Sequence, residues 1–176
     1  FVARDGYGFD ETWNLLLAIS NGGIYAIAAF ASAPILRRLS ARIAPRTVVA
    51  LVFILQVLIC PAILISDSPV VLFVVAGCMS FLAAFFWPVI EAFVSAGREP
   101  RAMRNAIGWW NTVWMLALGL ALVSMAPLLA AGHAVWAIAS LGPINLACVV
   151  VLYLGVPARV AKHHDHHPDH AAPKTY

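Results

Sequence analysis

Five apolar runs, each on the order of 20 residues, govern what this chain can fold into, because short breaks between them hold nearly all of its charge. They read as Leu15–Leu36, Val48–Ile65, Val70–Ala96, Ala106–Ala131 and Ala134–Val156. At 1.5 Å rise per residue the first is about 33 Å long as a helix, enough to cross the hydrocarbon layer of a bilayer. A soluble domain carries about 25% charged residues, whereas this chain has 11% charged and 62% hydrophobic residues. The expected fold class is therefore all-α: a polytopic membrane bundle of five transmembrane helices. A β-barrel is excluded by the lack of alternating strands of about ten residues. Pro34, Pro61, Pro88, Pro127 and Pro143 fall inside or near the ends of the runs. Membrane helices tolerate this where neighbouring helices satisfy the freed backbone groups.

Sidedness follows from the basic residues. Arg37, Arg38, Arg42 and Arg46 fill the first break, Arg98, Arg101 and Arg104 the third, and Arg159, Lys162 and Lys174 the tail, so that only Arg4 is left on the opposite side. The arginine-rich side is expected to be cytoplasmic. Trp13 and Trp136 stand near external helix ends, where interfacial aromatics gather. Residues 1–14 then form an extracytoplasmic segment, 15–157 the five-helix bundle, and 158–176 a cytoplasmic tail or interdomain linker. No targeting segment is apparent. An external start and an odd number of spans suggest a fragment preceded by at least one further helix. Cys60, Cys78 and Cys148 lie in apolar runs without metal-ligand spacing and read as small hydrophobes.

The runs differ in chemistry. Asn14, Asn21, Tyr25, Ala28 and Ser32 share one face of the first, and Gly77, Ser80, Ala84, Trp87, Glu91 and Ser95 one face of the third. The fourth offers Gly108, Asn111, Thr112, Met115 and Gly119, while the second and fifth carry little that is polar. Such faces pack helices together, since small residues let backbones approach. Over three helices the pattern also predicts surfaces turned towards something wet.

The order of these features resembles the second to sixth helices of a major facilitator superfamily transporter. Its family link, roughly G-x-x-x-D-R-x-G-R-R, is represented here by SAPILRRLSAR. Arg38 and Arg42 match, while Ala33, Arg37 and Ser40 replace the first glycine, the aspartate and the second glycine. The segment F-W-P-x-x-E-A around Trp87 and Glu91, then R-x-x-x-N and N-x-x-W ending at Trp114, is similar to bacterial members. Ala117 and Ala121 stand where those relatives carry glycines. The resemblance implies secondary active transport of a small solute by alternating access, in the bacterial inner membrane, as part of a longer parent chain that supplies the remaining helices. It also implies that the first, third and fourth helices line a central cavity. The partners implied are the lipid bilayer and a small-molecule substrate, with no nucleic acid and no cofactor. The other reading is a non-transporting receptor, scaffold or partner subunit.

Candidate substrate-binding residues are Asn21, Tyr25, Trp87, Asn111 and Trp114, which offer aromatic surface and amides with almost no fixed charge. Glu91 lies five residues before Ala96 and so about 7–8 Å of helix rise from the cytoplasmic end. A charge there avoids the full cost of the bilayer centre. It is expected to pair with Arg37, Arg38 or Arg98 as a gate; the competing role is a proton-coupling carboxylate in the cavity. The tail AKHHDHHPDHAAPKTY contains His163, His164, His166, His167 and His170. Histidine-rich tracts bind zinc, nickel or copper, but a proline-containing polar tail fixes no ligand geometry and reads as a solvated linker, so no metal site is assigned. His133 sits at an external loop, and no nucleophilic triad, phosphate loop or paired-carboxylate site can be assembled, which speaks against an enzyme.

Overall fold

The computed structural model describes residues 2–159. Among these residues six α-helices follow one another: α1 (Glu11–Ser40), α2 (Pro45–Ile59), α3 (Pro69–Ser95), α4 (Pro100–Ala130), α5 (Ala134–Ala139) and α6 (Leu141–Gly155). There is no strand among the described residues. A 3-10 turn, Cys60–Leu64, extends α2, and α5 with α6 makes one interrupted span, giving five segments long and apolar enough to cross a membrane. Each of the five runs expected from the sequence lies on one of these segments, and most segments continue into the charged breaks. Local signals set the ends. Asp10 caps α1 by accepting from the Trp13 amide at 2.8 Å, and Ser68 caps α3. Pro45, Pro69 and Pro100 open α2, α3 and α4, where a missing N–H costs nothing. Behind α4, Gly132 takes φ +75° and the His133 amide reaches back to the Leu128 carbonyl at 2.8 Å. This left-handed glycine closure stops a helix.

The prolines divide into two groups. Pro34, Pro88 and Pro127 are carried inside α1, α3 and α4. Pro61 and Pro143 instead change the helix. Without an N–H, Pro61 cannot donate to the Val57 carbonyl, and α2 tightens to 3-10 geometry at this point. Gly142 of α6 is buried against that freed carbonyl: a Cβ there would stand 3.6 Å from both the Val57 oxygen and the Pro61 ring. Likewise Pro143 cannot donate to Ala139, and the helix breaks at Ser140, whose hydroxyl donates to the Ala137 carbonyl at 2.8 Å.

The helix α3 is the hub, packing on α1, α2 and α4, while α2 also packs on α6. Small residues meet in the α1–α3 contact. Ala28 and Ser32 of α1 and Gly77 and Ala84 of α3 are all buried, and a Cβ on Gly77 would come within 2.9 Å of Ile24 Cδ1. Ser32 satisfies its buried hydroxyl on its own helix, at the Ala29 carbonyl. This part of the faces expected to be wet is therefore dry helix packing, because only residues this small allow the two backbones so close. One core cluster, around Val48, Val49, Val89 and Leu152, ties α2, α3 and α6 together near the arginine-rich end. The other, towards the opposite end, joins Ile63, Leu72 and Ala139 to Ala3 and Phe9 of the amino-terminal segment. That segment makes a π-helical turn, Val2–Gly6, and reverses at Gly8 (φ +67°), which lays the Phe9 ring on Trp13 and Phe73 at 5.7 and 6.0 Å. Arg46 joins the start of α2 to the end of α6. Its Nη1 donates to the Val156 carbonyl at 2.9 Å, and its guanidinium lies 4.7 Å over the Tyr153 ring. No residue of α4 is buried.

Candidate functional site

Among the five candidate binding residues, the structure brings two into contact. Trp87 of α3 meets Trp114 of α4 edge to face, with ring centroids 4.9 Å apart at 88°, and Trp110 joins from one turn earlier at 6.2 Å. Phe86 stacks edge-on behind Trp87 at 5.2 Å. Aromatic pairs prefer this geometry, which places the positive edge of one ring on the negative face of the other. The cluster bridges two helices that otherwise touch little, and Trp114 remains 42% exposed. Asn111 is exposed one turn before Trp114. On α1, Tyr25 is exposed and Asn21 half-buried, with its Oδ1 buried and lacking a hydrogen-bond partner among the described residues. A buried amide oxygen without a donor is costly. These polar and aromatic groups offer stacking surface, amide donors and acceptors, and no charge.

The five do not line a common concavity among the larger grooves of the described residues. A groove of about 750 Å³ runs over α3 between α1 and Ile59 of α2 and is lined by Trp13, Ile24, Phe73, Gly77 and Phe81 among others. A second of about 500 Å³ lies at the arginine-rich end between α3, α4 and α6, where Arg98 faces Phe93, Ala106, Trp109 and Trp110. A shallower notch on α4, about 390 Å³, collects Arg104, Asn105, Gly108, Trp109 and Thr112. Gly108 and Thr112 belong to the polar face expected of the fourth run and Asn105 to its R-x-x-x-N stretch, whereas Arg104 carries only sidedness in the sequence and Trp109 no role. The signal available was an arginine followed within two turns by adjacent tryptophans.

Glu91 is exposed on α3, and its backbone carbonyl accepts from Ser95 Oγ at 2.8 Å. Arg37 and Arg38 occupy the last turn of α1, where cations suit the helix dipole, and Arg98 follows the end of α3. All three arginines are exposed at the same end as Glu91, and among the described residues no ion pair within 4.0 Å joins them to it. At the opposite end the Tyr7 hydroxyl is buried without a partner among the described residues; burial, and the Asp67 carboxylate in addition, push its phenol above the ordinary value of 10.0. Among the described residues no group of three or more His, Cys, Asp or Glu side chains is placed to hold a metal. The histidine-rich tail, His163 to His170, lies outside the described residues.

A sequence model of the Major Facilitator Superfamily matches residues 7–175. No curated protein and no solved structure matches the chain. The match covers all five lipid-length segments and the Trp87–Glu91 and Trp110–Trp114 stretches that hold the aromatic cluster. The chain is a multi-pass membrane protein and belongs to the Major Facilitator Superfamily of transporters.

Proposed function

We propose that the protein carries a small neutral or amphipathic solute across the bacterial inner membrane by secondary active transport, through rocking of two helix bundles about a midplane site. The family match over residues 7–175 is the observation that carries this reading. The substrate class rests on the candidate lining: Trp87 and Trp114 in contact, with Asn21, Tyr25 and Asn111 as further polar partners and no fixed charge among the five. A strong anion would find nothing there to neutralise it.

Glu91 acts as a cytoplasmic gate in this reading, pairing with Arg37, Arg38 or Arg98 in the outward-open conformation and parting when the cavity opens inward. The same-end placement of these four residues supports it. Uptake and efflux by the purified full-length protein in proteoliposomes, against sugars, amphipathic drugs, metal ions and phosphorylated metabolites, tests the function. Accumulation of a neutral or amphipathic compound is expected. Selective transport of a phosphorylated anion would refute the substrate class, and transport of no solute would favour the receptor or scaffold.

A further inference from the structure

Two grooves lie outside the solute path proposed above. The larger, between α1 and α3, is apolar apart from Ser20, whose hydroxyl is spent on the Leu17 carbonyl, and selects no occupant. The groove between α3, α4 and α6 is different, because a single charge sits on hydrocarbon walls. Phe93 and Val94 of α3, Ala106 and Trp110 of α4, and Leu152 of α6 form the apolar part, and Arg98 stands where α3 has ended and α4 has yet to begin. Trp109 lines this groove and also the adjoining notch that holds Arg104 and Asn105. In the notch the Thr112 hydroxyl is already committed to the Gly108 carbonyl at 3.0 Å, leaving Arg104, Asn105 and the Trp109 indole as donors without a partner among the described residues.

Apolar walls within a bilayer do not hold water, since a water molecule needs polar partners there. Hydrocarbon is the natural filling. A guanidinium donates five N–H groups and accepts none, so what sits at the charged end must be an acceptor, and an anionic phosphate fits best. Arg98, Arg101 and Arg104 outnumber the acidic residues of this region, Glu91 and Glu99, which leaves the end net positive. Tryptophan at the boundary completes the arrangement, as indoles favour the headgroup level. We infer that the groove between α3, α4 and α6 holds one acyl chain of an anionic phospholipid, with its phosphate bound by Arg98 and Arg104 on either side of Trp109. Basic pockets between transmembrane helices bind anionic headgroups in this way. The groove contains none of the five candidate solute residues, although it shares Arg98 with the proposed gate and Trp110 with the aromatic cluster, and it does not depend on which face of the membrane is cytoplasmic.

The test uses purified full-length protein, with native mass spectrometry to detect retained lipid and thermal unfolding during titration with phosphatidylglycerol or phosphatidylcholine. Wild type is expected to retain phosphatidylglycerol and to be stabilised by it more than by phosphatidylcholine. Arg98→Gln, at an exposed link where folding is not at stake, should weaken phosphatidylglycerol about fivefold, the equivalent of about 1 kcal/mol per basic residue at an anionic surface, and leave phosphatidylcholine unchanged. Ala106→Trp fills the groove and should abolish retention of either lipid. Equal binding of the two lipids by wild type, or undiminished retention in Ala106→Trp, overturns the proposal. So does an Ala106→Trp protein that loses a dimer while keeping its lipid, since the groove would then be a contact between copies.

Discussion

Arg46 gives the clearest case of a side chain whose role depends on a distant partner. Its bond to the Val156 carbonyl supplies a donor to the otherwise unpaired end of α6, and its stacking on Tyr153 holds the guanidinium flat against that helix. Charge-assisted hydrogen bonds contribute about 1.5–3 kcal/mol. Arg46→Ala should therefore lower Tm in detergent measurably. Arg46→Lys should recover only part of the loss, because an ammonium keeps the charge without the planar fork. A substitution by Ala that leaves Tm unchanged would show the contact to be idle. In the sequence this arginine counted only towards sidedness; the Val156 carbonyl lies 110 residues away, and no local spacing announces it. Tyr7 is the second residue with a specific consequence. Its folded-state phenol titrates above its unfolded value, so its contribution to stability is complete below the ordinary phenol range and is lost as pH rises through the folded value. Tyr7→Phe should flatten that alkaline fall in Tm relative to wild type. It should cost little at neutral pH, since the lost hydroxyl is buried without a partner among the described residues. Equal alkaline slopes in the two proteins would contradict this.

At the scale of helices, the positions of the five spans were legible because lipid-length apolar runs leave few alternatives. What each proline does was not. Pro88 and Pro61 look alike in sequence, yet one sits inside a continuous helix and the other converts α2 to 3-10 geometry, beside a glycine from α6 that covers the carbonyl it frees. That outcome depends on the neighbour, which only the packed bundle reveals. It makes Gly142 a sensitive point. Gly142→Ala places its Cβ at ordinary contact distance from Val57 and Pro61 and should be close to neutral. Gly142→Leu should push α6 from α2 and cost roughly 1–3 kcal/mol, read as loss of Tm with helical content retained. Similar stability for the two variants would mean that the α2–α6 approach is loose. The small-residue faces of α1 and α3 showed the same limit. Their periodicity was visible, but whether Ala28, Ser32, Gly77 and Ala84 met water or one another was decided by where α1 docks.

For the whole molecule, the buried helices and the uncovered ones divide the labour. The helices α2, α3 and α6 share a core, whereas α1 has few buried residues and α4 none. The candidate residues Asn21, Tyr25, Asn111 and Trp114 all belong to those uncovered helices, and Trp87 reaches Trp114 from the hub. The sequence could nominate such residues by chemistry but not assemble them, because a cavity is a property of several helices at once. If Glu91 gates the cytoplasmic end, Glu91→Gln should move the conformational balance towards inward-open while leaving any proton dependence of transport intact, and charge reversal at both partners should restore it. Loss of proton-driven transport alone would assign Glu91 to coupling instead. Alternating access itself is tested most directly by sided labelling of the full-length protein in sealed vesicles. Cysteine is placed at Asn21 or Asn111 in a background lacking Cys60, Cys78 and Cys148, and an impermeant thiol reagent is applied from either face. Reaction of the same position from both faces, in a ratio that Glu91→Gln tilts towards the cytoplasmic face, is the predicted result; reaction from one face only, in every variant and with every solute, would contradict it.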